Sequence, residues 1–295
     1  MAVAAESDAA GRAENQDIAM ALALPSAGGA GPSEDFLLLV ADGMGGEPAG
    51  DVASGIASRT VRDEFPALPS GDLGQAMKQA FRRANDAIYR EAEADSTRTG
   101  MGTTLTAALL QGRYATIAHV GDSRAYLLRG DGLTQVTRDH SLVQDEAAAG
   151  RVSKSAARND PRRNILTHSV GSSARLDSKL PSIFELTLLP GDRLLLCTDG
   201  LYDVLDDVDL RRALSVADPG EAVRTLVQLA KERNTRDNAT AVVAAAIPTR
   251  VPAAGTVQPV ENRTGGIPGT VLAGVMAVLL IVLLILAVYL LGFLR

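Results

Sequence analysis

Apolar runs that stop at an aspartate constrain this chain more than any other feature. The segments FLLLVADG, ATIAHVGDS and RLLLCTDG end at Asp42, Asp122 and Asp199, and Asp237 opens a further run in TRDNATAVV. Short apolar runs bounded by Gly, Asp or Asn read as buried strands, so three of these carboxylates close strands and one opens a strand. Strand ends in a packed sheet are rigid and can converge from distant parts of a sequence. Carboxylates gathered in one place repel one another, and hard divalent cations neutralise such a group. Taken singly, Asp-Gly and Asp-Asn are ordinary turn dipeptides. Their repetition at strand ends favours a shared site.

Strand-like runs fall near residues 17–24, 36–41, 103–110, 114–120, 124–129, 183–188, 193–198 and 239–246. Helical period appears from Asp51 to Arg62, from Leu73 to Ala94 and from Glu221 to Arg233; in the second, Leu73, Met77, Phe81, Ala84 and Ile88 share a face. This order does not alternate strictly, so it fits an α+β fold with antiparallel sheets better than a doubly wound parallel sheet. The uneven, basic segment from Thr137 to Leu176 reads as a mobile flap over the site rather than as core.

The net charge of -6 and the lack of any basic run argue against a nucleic-acid surface. The single cysteine, Cys197, lies inside an apolar run and reads as a small core residue. From Val271 to Leu294 no residue is charged. A helix over that run is about 36 Å long, enough to cross a hydrocarbon core of about 30 Å. The expected organisation is a soluble domain over 1–247, a Pro/Gly-rich linker over 248–269 and a transmembrane helix over 270–294. No secretory signal precedes the domain, so a single-pass C-terminal anchor in membrane lipid with the large domain in the cytoplasm is expected.

Asp42 is followed by Gly43, Met44, Gly45 and Gly46. Glycines there bring a backbone carbonyl close to an ion, whereas a phosphate loop of the Walker type would need Lys and Ser or Thr where Glu47 and Pro48 stand. Asp199 and Asp237 add two carboxylates. Two ions sharing a carboxylate and a water would ionise that water near neutral pH, for in-line attack on phosphorus. All-oxygen ligands select magnesium or manganese, and His119, His140 and His168 are dispersed along the chain. Arg12, shortly before Asp17, is the candidate group for gripping phosphate.

Arg12 with Asn15-Gln16-Asp17, then VADGMGGEPAG, GMGTTLTAAL, HVGDSRAYLLR, LTQVTRDHS, LLLCTDGLYD and RDNATAVV, resemble in order the motifs of the metal-dependent serine/threonine phosphatases of the type 2C or PPM class. The resemblance implies a four-layer αββα sandwich of two antiparallel β-sheets flanked by helices, with two Mn2+ or Mg2+ ions. It implies that Asp42 bridges the ions, the Gly43 carbonyl binds one, and Asp199 and Asp237 hold the other. It further implies that Arg12 binds phosphate, that Asp17 orients the attacking water, and that Asp122 with Asp199 holds a third, weaker ion. Phosphoproteins are the implied substrates, with a bacterial serine/threonine kinase or its targets as partner. Two departures stand out: Met44 replaces a histidine proposed as general acid in many eukaryotic members, and Ala9 replaces a glycine three residues before the arginine. An inactive relative that binds phosphoproteins as a membrane scaffold is the alternative.

Overall fold

The computed structural model describes residues 1–25, 35–45, 49–153, 156 and 160–246, which fall in one compact unit, Met1–Thr249. The linker over 248–269 and the helix expected over 270–294 lie outside the described residues. Among the described residues no helix is long and apolar enough to cross a membrane.

Two antiparallel sheets form the centre. The first orders β1 (Ala2–Asp8), β11 (Ala239–Ala245), β10 (Arg193–Cys197), β7 (Arg124–Arg129) and β8 (Gly132–Gln135). The second orders β2 (Asp17–Ala23), β3 (Asp35–Met44), β5 (Leu105–Gln111), β6 (Tyr114–Val120) and β9 (Ser182–Thr187), with β4 (Gly102–Thr103) against the end of β3. Side chains alternate across a strand, so each apolar run serves two cores. Phe36, Leu38 and Val40 of β3 meet Leu194, Leu196, Val242 and Ala244 between the sheets. Leu37, Leu39 and Ala41 turn the other way, onto α1 (Ala49–Glu64) and α2 (Leu73–Ala94). On the far side Leu195, Cys197, Ala241 and Val243 pack on α5 (Asp207–Leu214) and α6 (Pro219–Glu232). This is the expected αββα layering, and burial on both faces explains why the strands read as continuous apolar runs rather than alternating ones. Cys197 is fully buried, and burial pushes its thiol up to about 12.

The segment read as a mobile flap is pinned to the core at several points. It contains α3 (Leu142–Ala148) and an internal bridge from Ser141 to Leu166, while a bridge joins Val170 to Thr103, and Asn85 of α2 accepts from Gly171 N at 2.8 Å and donates to the Ser173 carbonyl at 3.1 Å. Val143 and Val170 are buried, so apolar anchors within a polar segment make part of it core. A single turn, α4 (Asp199–Tyr202), follows β10 directly.

Candidate metal centre

Asp42 lies in β3, in register with Asp17 on β2. Its backbone is fully engaged: its N–H donates to Thr104 Oγ1 at 3.0 Å, and its carbonyl accepts from Thr103 Oγ1 at 2.8 Å and Thr104 N at 2.9 Å. Thr104 Oγ1 is 2.7 Å from Ser123 Oγ, so the GMGTT and GDSR segments fix the Asp42 strand end together. Asp122 leaves β6 behind Gly121, whose φ of +108° suits glycine. Gly43 needs room rather than an unusual angle, because a Cβ there would stand 2.1 Å from the Gly50 carbonyl oxygen.

Asp199 opens α4, and Asp237 lies just ahead of β11. Their approach depends on Gly200, where a Cβ would meet the Asn238 carbonyl oxygen at 1.9 Å. Asn238 also shapes the Arg12 loop. Its Nδ2 donates to the carbonyls of Ala9 at 3.0 Å and Glu14 at 2.8 Å, and its Oδ1 accepts from Gln16 N at 2.9 Å. Gly11 N donates to the Asp237 carbonyl at 3.1 Å, and a Cβ on Gly11 would lie 2.3 Å from Thr235 O. The glycine beside Arg12, rather than one at position 9, therefore supplies the close approach. Arg12 Nη2 reaches Asp237 Oδ2 at 2.7 Å.

Arg12, Asp42, Gly43, Asp122, Asp199 and Asp237 all line one cleft of about 500 Å³, together with Met44 and Asn164. Asp17 is not among the lining residues described. It sits behind the wall, 4% exposed, and accepts from Thr198 Oγ1 at 2.7 Å. Burial, reinforced by Asp17, Asp199, Asp122 and Asp237, raises the Asp42 carboxyl well above its usual range. Asp199 is raised by burial and by Asp122 and Asp237, and burial takes Asp122 to about 7 and Asp17 to about 6.

The donor set fits hard divalent cations. Every candidate ligand is oxygen, the negative charge is concentrated and buried, and Asp199 Oδ1 is buried without a hydrogen-bond partner. Among the described residues, no three acidic, histidine or cysteine side chains already close on one point.

The three histidines are not dispersed in space. His119 and His140 have ring centroids 4.8 Å apart and His140 and His168 5.7 Å, so a run of imidazoles links β6 to the segment after β8. Both nitrogens of His119 are engaged, by Thr106 at 2.9 Å and the Arg138 carbonyl at 3.1 Å, and burial lowers its pKa to about 3. They brace the flap's base rather than ligate.

Sequence reasoning missed Thr103, Thr104, Asn238 and the support under Asp122. There, Arg124 pairs with Asp139 at 2.7 Å and lies 3.6 Å from the centroid of the Tyr202 ring, whose hydroxyl donates to the Asp122 carbonyl at 3.1 Å. The only signal in the sequence was that these residues sit inside the ordered motifs that carry the resemblance.

An antiparallel αββα sandwich with a carboxylate-lined cleft at the ends of its strands defines a metal-dependent phosphatase architecture. Residues 7–239 match the family Protein phosphatase 2C, and the chain belongs to that family. It is 38% identical over 209 residues to the serine/threonine protein phosphatase PstP of Mycobacterium tuberculosis, covering 70% of this chain and 40% of that protein's length. It is 37% identical over 182 residues to the serine/threonine phosphatase stp of Listeria innocua, covering 60% of this chain and 71% of that protein. The crystal structure of M. tuberculosis PstP/Ppp superposes with a TM-score of 0.74 at 36% identity, over 83% of this chain and 98% of that one. A structure of the PstP catalytic domain in complex with two manganese ions gives a TM-score of 0.71 at 35% identity, over 83% of this chain and 98% of that one.

Proposed function

We propose that this chain hydrolyses phosphoserine and phosphothreonine on proteins, with Mn2+ or Mg2+ as cofactor. The observation that carries this reading is the gathering of Asp42, Asp122, Asp199 and Asp237 with Arg12 around one cleft. Asp42 with the Gly43 carbonyl would hold one ion, Asp42 with Asp199 and Asp237 a second, and Asp122 with Asp199 a third. Bound ions supply Lewis-acid stabilisation of the phosphoryl oxygens and a nucleophile at neutral pH. Arg12 turns its exposed guanidinium from Asp237 to two phosphoryl oxygens, fixing the ester in the cleft. Asp17, in register with Asp42 and accepting from Thr198 Oγ1, would orient the attacking water from the Asp42 side of the cleft. Met44 lines the cleft with a thioether, which cannot donate a proton, so no side chain is assigned to protonate the leaving oxygen.

Mn2+-dependent phosphate release from a phosphothreonine peptide and from p-nitrophenyl phosphate is expected, and Asp199→Asn should abolish it. No hydrolysis by the wild-type chain would sink the reading. The scaffold alternative has no residue in its favour, since every candidate ligand is present. The uncharged run from Val271 to Leu294 supports a single-pass C-terminal anchor. A cytoplasmic catalytic domain, beside a bacterial serine/threonine kinase or its targets, is the reading that the family resemblance adds to that anchor. Deleting Gly269 to Arg295 should release an active domain from membranes; a protein already soluble at full length would contradict the anchor.

A further inference from the structure

Beside the carboxylate cleft lies a second one of about 520 Å³, and Asn164 lines both. One wall comes from the segment after β8, with Gln144 and Arg163. The other is the turn between α4 and α5, from Tyr202 to Asp207. The proposed chemistry leaves this cleft unused. Its floor is nevertheless tied to the first, because the Tyr202 hydroxyl donates to the Asp122 carbonyl at 3.1 Å.

A phosphoresidue held by Arg12 brings its own main chain with it. Each residue of extended chain covers roughly 3.3–3.6 Å, so neighbours a few positions away must cross a surface flanking the carboxylates. The second cleft is such a surface, and its lining has a sign. Four aspartates (Asp139, Asp203, Asp206 and Asp207) face two arginines. Both arginines are committed, Arg124 to Asp139 at 2.7 Å and Arg163 to Asp203 at 2.6 Å. Asp206 is exposed at the rim, and its carboxylate accepts from the N–H groups of Val208 and Asp209, each at 2.9 Å. Those donors hold it ionised. Arg212 and Arg233 act on it from outside the lining, and Arg233 is itself bonded to Asp209 at 3.0 Å.

We infer that the second cleft receives the polypeptide flanking the phosphoresidue and favours substrates with lysine or arginine there, Asp206 being the residue that selects them. This rests on the phosphatase reading and adds the class of protein it acts on. Selection comes from the α4–α5 turn of the core, across the cleft from the flap.

The test uses phosphothreonine peptides that differ only in carrying Lys, Ala or Glu two to four residues from the phosphate, with p-nitrophenyl phosphate as a substrate lacking any flank. Wild-type kcat/KM should fall in the order Lys, Ala, Glu. Asp206→Asn removes the charge yet leaves a good helix cap, as does Asp206→Ser. Each should lower kcat/KM for the Lys peptide by about two- to fivefold, as an exposed ion pair is worth. Hydrolysis of p-nitrophenyl phosphate should not change, and the Lys preference should fade in high salt. No preference in the wild type, or an equal loss on every substrate in both variants, would overturn the inference. Absence of hydrolysis on p-nitrophenyl phosphate would instead remove the phosphatase reading beneath it.

Discussion

Asn238 joins the Arg12 loop to the strand that follows Asp237, so its replacement tests how the phosphate-binding group is positioned. The side chain is 4% exposed and makes three hydrogen bonds, to Ala9 O, Glu14 O and Gln16 N. At about 1 kcal/mol net for each, Asn238→Ala should cost about 3 kcal/mol. For a domain of this size that lowers Tm by roughly 6–12 °C. Asn238→Asp keeps the shape and the acceptor for Gln16. It also turns the donor nitrogen into an oxygen facing two carbonyls and sets a charge beside Asp237. It should therefore destabilise at least as much as alanine, although it is nearly isosteric. Thermal melts give the stability, and steady-state kinetics on a phosphopeptide give the consequence for the site. KM should rise well above the wild-type value in both variants at temperatures where they remain folded, because the loop carrying Arg12 has lost its staple. A Tm within about 1 °C of wild type for Asn238→Asp would refute the assignment of its amide as the donor.

Three further outcomes follow from the charges in the cleft. Asp199→Asn should abolish Mn2+-dependent hydrolysis while leaving the Tm of chelated protein unchanged or higher, since it removes a buried carboxylate with an unpartnered oxygen; a large fall in Tm would contradict that. Asp122 has a folded pKa of about 7, above the unfolded value of about 3.9, so folded protein binds the extra proton and stability falls as pH rises through that interval. Burial of His119 and His140 lowers their pKa and opposes the trend below about pH 6.5, so in chelated protein the fall should emerge between about pH 6.5 and 8 and shrink in Asp122→Asn. Arg12 occupies Asp237 at 2.7 Å, so Arg12→Ala should tighten Mn2+ binding by about two- to fivefold in calorimetric titration, even as phosphopeptide KM rises; weaker Mn2+ binding would show that Arg12 supports the ion rather than competing with it.

The sequence was most legible where one physical cause dominates. Strands such as β6 and β7 run in apolar stretches ended by turn residues, and α2 begins and ends where its period does. β1 was not legible because it is an edge strand of half-buried small residues, AVAAESD, without an apolar run. β8, α4 and α5 are too short for periodicity to register. In the site, the carboxylates were visible because turn chemistry and strand ends coincide at them. Asn238, Thr104 and Arg124 were not, because their roles depend on which backbone atoms tertiary packing places beside them. The histidine stack was hidden for the same reason: His119, His140 and His168 come from separate segments and meet only in the fold.

The central claim is that Asp42, Asp199 and Asp237 form one divalent-cation centre. Calorimetric titration of the chelated protein with Mn2+ tests it most directly. Binding of about two ions per chain, with at least one lost in Asp42→Asn and in Asp237→Asn while both variants stay folded, is the predicted result. Mn2+ binding that is absent from the wild type, or that persists unchanged in both variants, would contradict it.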